Sequence, residues 1–189
     1  SYAMKIMIDQ QDKLWIGSSV AGLSEIDPQS GERLKLYHNS RRANSLSGAT
    51  TFSLFETRDG TIWVGTKDNG LNRFNRESKN FTTFKSDKEV ESSLSGNRIY
   101  TILEDKAGVL WVGTAKGGLN RFHPETQSFT SFTNKMTDEN SIGSNCVYDL
   151  YEDFENNLWI GTKGGGLNKL DPQREAFSRL DLGFDDQNI

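Results

Sequence analysis

The chain has 189 residues, 34% of them hydrophobic and 25% charged, and a formal net charge of −4. That is enough apolar material for a substantial core, and it excludes a disordered chain or a coiled coil. The negative balance argues against a nucleic-acid surface, which needs a basic stripe to displace counterions. No apolar run approaches the ~18 residues of a membrane span.

Taken in order, the chain repeats itself. Trp15, Trp63, Trp111 and Trp159 stand 48 residues apart, and the rest aligns at that period without a gap. The units are 1–48, 49–96, 97–144 and 145–189. Their centres read Leu14-Trp15-Ile16-Gly17-Ser18, Ile62-Trp63-Val64-Gly65-Thr66, Leu110-Trp111-Val112-Gly113-Thr114 and Leu158-Trp159-Ile160-Gly161-Thr162. A second glycine follows each centre, at Gly22, Gly70, Gly118 and Gly166, and then a leucine at Leu23, Leu71, Leu119 and Leu167. A period of this length marks a solenoid or a propeller.

In the second unit four β-prone stretches are legible, at 51–56, 61–66, 71–75 and 81–85. Gly60, Gly108, Asn156 and Asp12 occupy the turn between the first two stretches, and these residue types tolerate positive φ in a tight hairpin. Asp27-Pro28, Asn75-Arg76, His123-Pro124 and Asp171-Pro172 fall between the third and fourth, where Asp or Asn before Pro suits a type I turn. Each unit therefore reads as a four-stranded antiparallel meander. No stretch has helical periodicity with caps, so the chain is all-β. Four strands in about 48 residues fit a β-propeller blade better than the shorter coils of leucine-rich or β-helical repeats. The Leu-Trp-Ile-Gly run is continuous rather than alternating, as expected for strands buried on both faces, with glycine admitting a neighbouring backbone. The tryptophans are expected to pack blade against blade, and removing one is expected to cost about 3–5 kcal/mol.

Candidates for chemistry are few. The lone Cys146 excludes an internal disulfide and reads as a small residue of an innermost strand. His38 and His123 hold unrelated repeat positions, so neither a metal cluster nor a Ser-His-Asp arrangement is indicated, and no catalytic residue and no cofactor is expected. Glu104-Asp105 and Glu152-Asp153 invite a two-carboxylate glycosidase reading. Their recurrence in successive units favours a structural role. Arg41-Arg42 is the only basic pair that would suit a phosphate.

The residues from Glu104 through Leu110-Trp111-Val112-Gly113-Thr114 to Gly117-Gly118-Leu119-Asn120-Arg121-Phe122 closely resemble the two-component regulator propeller repeat. Residues 56–74 and 152–170 match nearly as well, and the first unit more loosely, with Ser18 for Thr and Ser24-Glu25 for Asn-Arg. The resemblance implies the periplasmic sensor region of a membrane-anchored hybrid histidine kinase or diguanylate cyclase. It implies ligand sensing, often of saccharide breakdown products, without chemistry in this region. The alternatives are an interaction scaffold with no small ligand and, less favoured, a propeller hydrolase or lyase. The family's rings of about seven blades make four repeats look like a fragment. Four blades in an open arc would expose two faces meant for burial. The expectation is a homodimer closing an eight-bladed ring, with a closed four-bladed ring as the alternative. Asn188-Ile189 stands where other units read Asn44-Ser45-Leu46 and Asn140-Ser141-Ile142, which puts both chain ends at a repeat boundary.

Propeller topology places the loops joining strands 2 to 3 and strands 4 to 1 on one side of the disc. Polar side chains there are suited to a saccharide, another small polar ligand or a peptide segment, the alternative being that they are solvated loop residues. The candidate residues are Lys67, Asp68 and Asn69, with Lys116 and Lys163 in the equivalent loops, and Asn97, Arg98 and Asn145 at the start of the innermost strands. Leu46, Leu94 and Ile142 are expected to pin the longer loops.

Overall fold

A computed structural model describes residues 2–38, 44–171 and 174–180. Every regular element among them is a strand. The first unit holds β1 to β4 at Ala3–Ile8, Leu14–Ser18, Leu23–Ile26 and Arg33–Leu36, and the second holds β5 to β8 at Thr51–Glu56, Ile62–Thr66, Leu71–Asn75 and Asn80–Phe84. The third holds β9 to β12 at Ile99–Glu104, Leu110–Thr114, Leu119–His123 and Ser128–Phe132, and the fourth β13 to β16 at Val147–Glu152, Leu158–Thr162, Gly166–Asp171 and Ala176–Leu180. Each set of four forms an antiparallel sheet in sequence order, as propeller blades do. Arg41-Arg42, Pro172 and Asn188-Ile189 lie outside the described residues.

The first hairpin turns as its residue types dictate: φ is 57° at Asp12, 81° at Gly60, 84° at Gly108 and 66° at Asn156. The second turn is longer than an Asp-Pro reading requires. Its fifth residue is left-handed in every blade, at Gly31, Lys79, Gln127 and Glu175, with φ between 52° and 71°. Glycine fills that position only once, so the sequence signal for it is faint.

Blades 1 to 4 meet at three seams, each with its own apolar cluster. Trp15, Leu23, Tyr37 and Leu46 pack on Ile62, Val64, Phe74 and Phe81 of blade 2. Trp63 and Leu71 meet Leu110, Val112, Phe122 and Phe129 of blade 3. Trp111 and Leu119 meet Leu158, Ile160, Leu170 and Phe177 of blade 4. Every residue of β6 and β10 is buried, because these strands have a blade on either side. Leu46, Leu94 and Ile142 are fully buried within the same clusters, so they do pin their loops.

The recurrent carboxylates serve the blades. Asp9 Oδ1 accepts the backbone N–H of Gln11 and Lys13 while Oδ2 accepts the indole N–H of Trp15 at 2.8 Å. Asp105 holds Trp111, and Asp153 holds Trp159, at the same distance. Burial alone would raise the Asp9 carboxyl, but bonds from Lys13, Trp15, Arg76 and Gln11 outweigh it and hold the group below the usual range. For Asp153 the desolvation is likewise overcome by Asn157, Trp159 and Glu155, and its pKa falls to about 2. The neighbouring glutamates tie one blade to the one before. Glu56, Glu104 and Glu152 each accept, at 2.8 Å, the backbone N–H of Gln10, Arg58 and Lys106. The two-carboxylate pattern is thus a turn cap joined to a seam tie.

No fourth seam joins blade 4 to blade 1 among the described residues, so the arc is open and the alternative of a closed four-bladed ring does not hold. At one end Ile6 and Ile8 are 71% and 63% exposed, and at the other Tyr151 is 65% exposed. Trp159 is only half-buried, whereas the other three tryptophans are buried. Among these residues no helix is long and apolar enough to cross a membrane.

Candidate functional site

The loop between β6 and β7 is held by its own backbone and displays its side chains. Thr66 Oγ1 donates to the Gly70 carbonyl at 2.9 Å and accepts the Asn69 N–H at 3.0 Å. Gly70 has φ of 84°, and a Cβ there would stand 2.1 Å from the Phe84 carbonyl oxygen, so only glycine fits. Two further bonds seat the loop on neighbouring chain: Lys67 N–H to Thr50 O at 3.0 Å and Gly70 N–H to Asn97 O at 2.8 Å. What remains free to face solvent is Lys67 and Asp68.

Arg98 of blade 3 reaches across to this loop. Its Nε donates to the Lys67 carbonyl and to Asp68 Oδ1, both at 3.0 Å, and its Nη2 donates to Asp68 Oδ1 at 2.6 Å. The Asp68 bond raises the Arg98 pKa further, so the guanidinium is permanently charged. Both partners are substantially exposed, so the pair adds little to stability and serves chiefly to orient the groups. Asp68, Gly96, Asn97, Arg98, Ala115 and Lys116 together line a cleft of about 320 Å³ at the seam of blades 2 and 3.

Four of the residues expected from sequence, Asp68, Asn97, Arg98 and Lys116, thus share one cleft, and the Lys67 carbonyl accepts the Arg98 Nε–H without lining it. The other three stand apart from it. Asn69 is taken up by the turn, its carbonyl accepting Ser47 Oγ at 2.8 Å. Asn145 Oδ1 caps the Asn134 N–H at 2.6 Å, and Lys163 sits exposed on blade 4 with its N–H on the Cys146 carbonyl. Asn97 has a similar capping duty, since its Oδ1 accepts the Ser86 N–H at 2.8 Å. Asn97, Arg98 and Asn145 precede β9 and β13 by one or two residues rather than opening them, and Cys146 likewise stands just before β13.

A row of aromatic rings on the innermost strands went unread in the sequence. Phe52 and Tyr100 stack with centroids 5.8 Å apart, and Tyr100 and Tyr148 stack at 4.8 Å with planes only 4° apart. Tyr100 follows Arg98 by two residues and borders its guanidinium. Tyr148 ends the row and is 48% exposed. The 48-residue register carried the signal, for Met4, Phe52, Tyr100 and Tyr148 hold one repeat position.

The histidines are engaged locally: His38 Nδ1 lies 3.1 Å from the Leu46 carbonyl and His123 Nε2 lies 2.8 Å from Thr130 Oγ1. Among the described residues no three His, Cys, Asp or Glu side chains gather where they would hold a metal ion.

The family model described as the two component regulator propeller matches residues 45–68, 93–116 and 141–164. No curated protein matches the chain significantly. Among solved structures, the extracellular domain of a hybrid two-component system from B. thetaiotaomicron is 23% identical with a TM-score of 0.77, over 94% of this chain and 24% of that one. The extracellular domain of a one-component system from the same organism is 20% identical with a TM-score of 0.78, over 94% and 25%. A catalytically inactive virginiamycin B lyase from Staphylococcus aureus is 13% identical with a TM-score of 0.70, over 97% and 56%. The chain thus spans about a quarter of the two extracellular domains, and at these identities the likeness is one of fold.

Proposed function

From a chain that carries repeats of the two-component regulator propeller family, we propose a non-catalytic, ligand-sensing part of a receptor's extracytoplasmic region, facing the periplasm. The ligand is a small polar molecule of the saccharide class, bound on the loop side of the disc. The observation that carries this reading is the cleft at Asp68, Arg98 and Lys116, whose Arg98 borders Tyr100, the ring on which the exposed Tyr148 stacks. A sugar offers an apolar ring face and a rim of hydroxyls. Tyr148 supplies a flat exposed ring for the first, while Arg98, Asp68 and Lys116 supply donors and an acceptor for the second. An output module, histidine kinase or cyclase, belongs to the same proposal and lies beyond the described residues.

Thermal-shift screening with mono- and oligosaccharides tests the reading. A ligand at 100 times its Kd stabilises by about 2.7 kcal/mol, which for a chain of this size raises Tm by about 5–10 °C. The shift should disappear in Arg98→Ala and in Tyr148→Ala. A flat response across the screen, with protein partners still captured on the loop face, would favour the scaffold alternative.

A further inference from the structure

The two open faces of the arc depart from the internal seams at the very positions that a further seam would join. Internal seams are tied in a fixed register. Glu56, Glu104 and Glu152 accept the backbone N–H of Gln10, Arg58 and Lys106 in the blade before, and the side chains of those three residues reach across to carbonyls of the next blade's first turn. Further along the inner strands, Thr101 and Asp149 hold one repeat position in blades 3 and 4, and Thr101 Oγ1 donates to Asp149 Oδ1 at 3.5 Å. Equivalent residues of successive inner strands are therefore neighbours.

Carried across the open ends, that register selects two pairs. The first is Asp149 of blade 4 with Lys5 of blade 1. Inside the arc this position holds Ser53 and Thr101, which are buried, and an unpaired charge there would be costly. At the two ends it holds Lys5 and Asp149, both exposed, opposite in sign, and without an ion pair among the described residues. The second pair is Phe154 with Ile8. Phe154 stands where Gln10, Arg58 and Lys106 reach across, and Ile8 stands where the three glutamates accept. They are 86% and 63% exposed. Behind them Ile6 is bare, whereas Ile102 and Leu150 in its position are buried under the preceding blade. Solvation accounts for charges at an open edge, but not for the opposite exchange of a glutamate for isoleucine and of a long polar side chain for phenylalanine. A single seam accounts for both. In it an ion pair takes the place of a hydroxyl contact, and an apolar pair takes the place of the glutamate tie.

We propose that blade 4 of one copy of the chain docks on blade 1 of a second copy in the register of the internal seams, with Asp149 paired to Lys5 and Phe154 packed on Ile8. Two different faces meet, so the contact is heterologous, and two such contacts close an eight-bladed ring of two chains, at the upper end of the common propeller range. An isologous dimer is disfavoured by the same residues, because it sets Lys5 against Lys5 or Asp149 against Asp149.

The test is a charge exchange read by analytical ultracentrifugation. Lys5→Glu and Asp149→Lys are made in separate chains, and the thermal transition at low concentration verifies that each folds. Either one alone sets like charges together at both seams and raises the dimer Kd by about tenfold or more. Mixed in equal amounts, the two variants recover the parental affinity, since one seam of the mixed ring keeps the native pair and the other carries it reversed. Phe154→Ala, which leaves the charges untouched, also weakens assembly by about tenfold. A single-chain mass for the parent, or masses beyond two chains, overturns the proposal. So do charge variants that assemble as well as the parent, a mixture no tighter than its components, or a Phe154→Ala chain with unchanged affinity.

Discussion

The four glycines that follow the tryptophans by two residues provide an internally controlled test of blade packing. A methyl placed on Gly113 would stand 2.6 Å from Thr101 Cγ2 and 2.6 Å from Val147 Cγ1 of the next blade. At Gly65 it would meet Ser53 Oγ at 2.1 Å, and at Gly17 Thr51 Cγ2 at 2.5 Å. At Gly161 the nearest atom is the Asp149 carbonyl oxygen at 3.8 Å, an ordinary contact, because no blade lies beyond. Gly113→Ala forces a buried seam apart, for which overpacking costs about 1–3 kcal/mol. In all four places alanine also restricts the unfolded chain, a gain of roughly 0.5–1 kcal/mol. The balance predicts that Gly113→Ala loses about 1–2 kcal/mol while Gly161→Ala gains up to about 1 kcal/mol. At ~2–4 °C per kcal/mol for this chain length, Tm falls by about 2–8 °C in the first and holds or rises slightly in the second. Differential scanning calorimetry at low protein concentration, where chains are separate, reads both. Equal losses at Gly113 and Gly161 would refute the reasoning, since they would mean that the glycine serves its own blade rather than the seam.

Three further outcomes follow from the same geometry. Glu152→Ala removes the acceptor of the Lys106 N–H and should cost about 1 kcal/mol in urea denaturation, with Glu152→Gln recovering most of it, since an amide oxygen can still accept. Asp153 has its pKa lowered from 3.8 to about 2, so its contribution is present above the unfolded value and is lost as pH falls through that window. Acid titration followed by tryptophan fluorescence should show Asp153→Asn with a shallower dependence between about pH 4 and pH 2 than the parent chain, and parallel curves would contradict it. Light scattering on a sizing column should give the mass of two chains, because the terminal faces around Ile6, Ile8, Tyr151 and Trp159 are built for burial. Gly161→Ala should return it to one, and a single-chain mass for the parent would remove the homodimer.

The strands and the Trp seams were legible because each blade states them independently and at one spacing. The hairpin turns were legible because Gly60, Gly108, Asn156 and Asp12 each carry the conformational preference in the residue itself. The left-handed position at Lys79, Gln127 and Glu175 was not, since those side chains adopt it under the constraint of the strands they join. For the candidate cleft, loop membership was enough to bring Asp68, Asn97, Arg98 and Lys116 together, because topology alone places those loops on one side. It could not tell Asn97 and Asn145 from free ligand groups. Their capping bonds to Ser86 and Asn134 run within single loops whose path only the fold defines. The tyrosine row was hidden for a related reason: a ring on an inner strand reads as core until neighbouring blades show it stacked on its repeat equivalents.

A repeat protein carries its own comparison set, and that changes where function should be sought. Residues that recur, such as Asp9, Asp105 and Asp153 under their tryptophans, are explained by the blade, and their chemistry is used up in turn caps and indole bonds. Departures need a different account. Thr57 stands where the other blades have the aspartate that holds the tryptophan indole, and Arg76 stands where the other blades have proline and adds ion pairs to Asp9 and Glu56 at the first seam. The aromatic row is the other departure, since blade 1 has Met4 where the rest have rings.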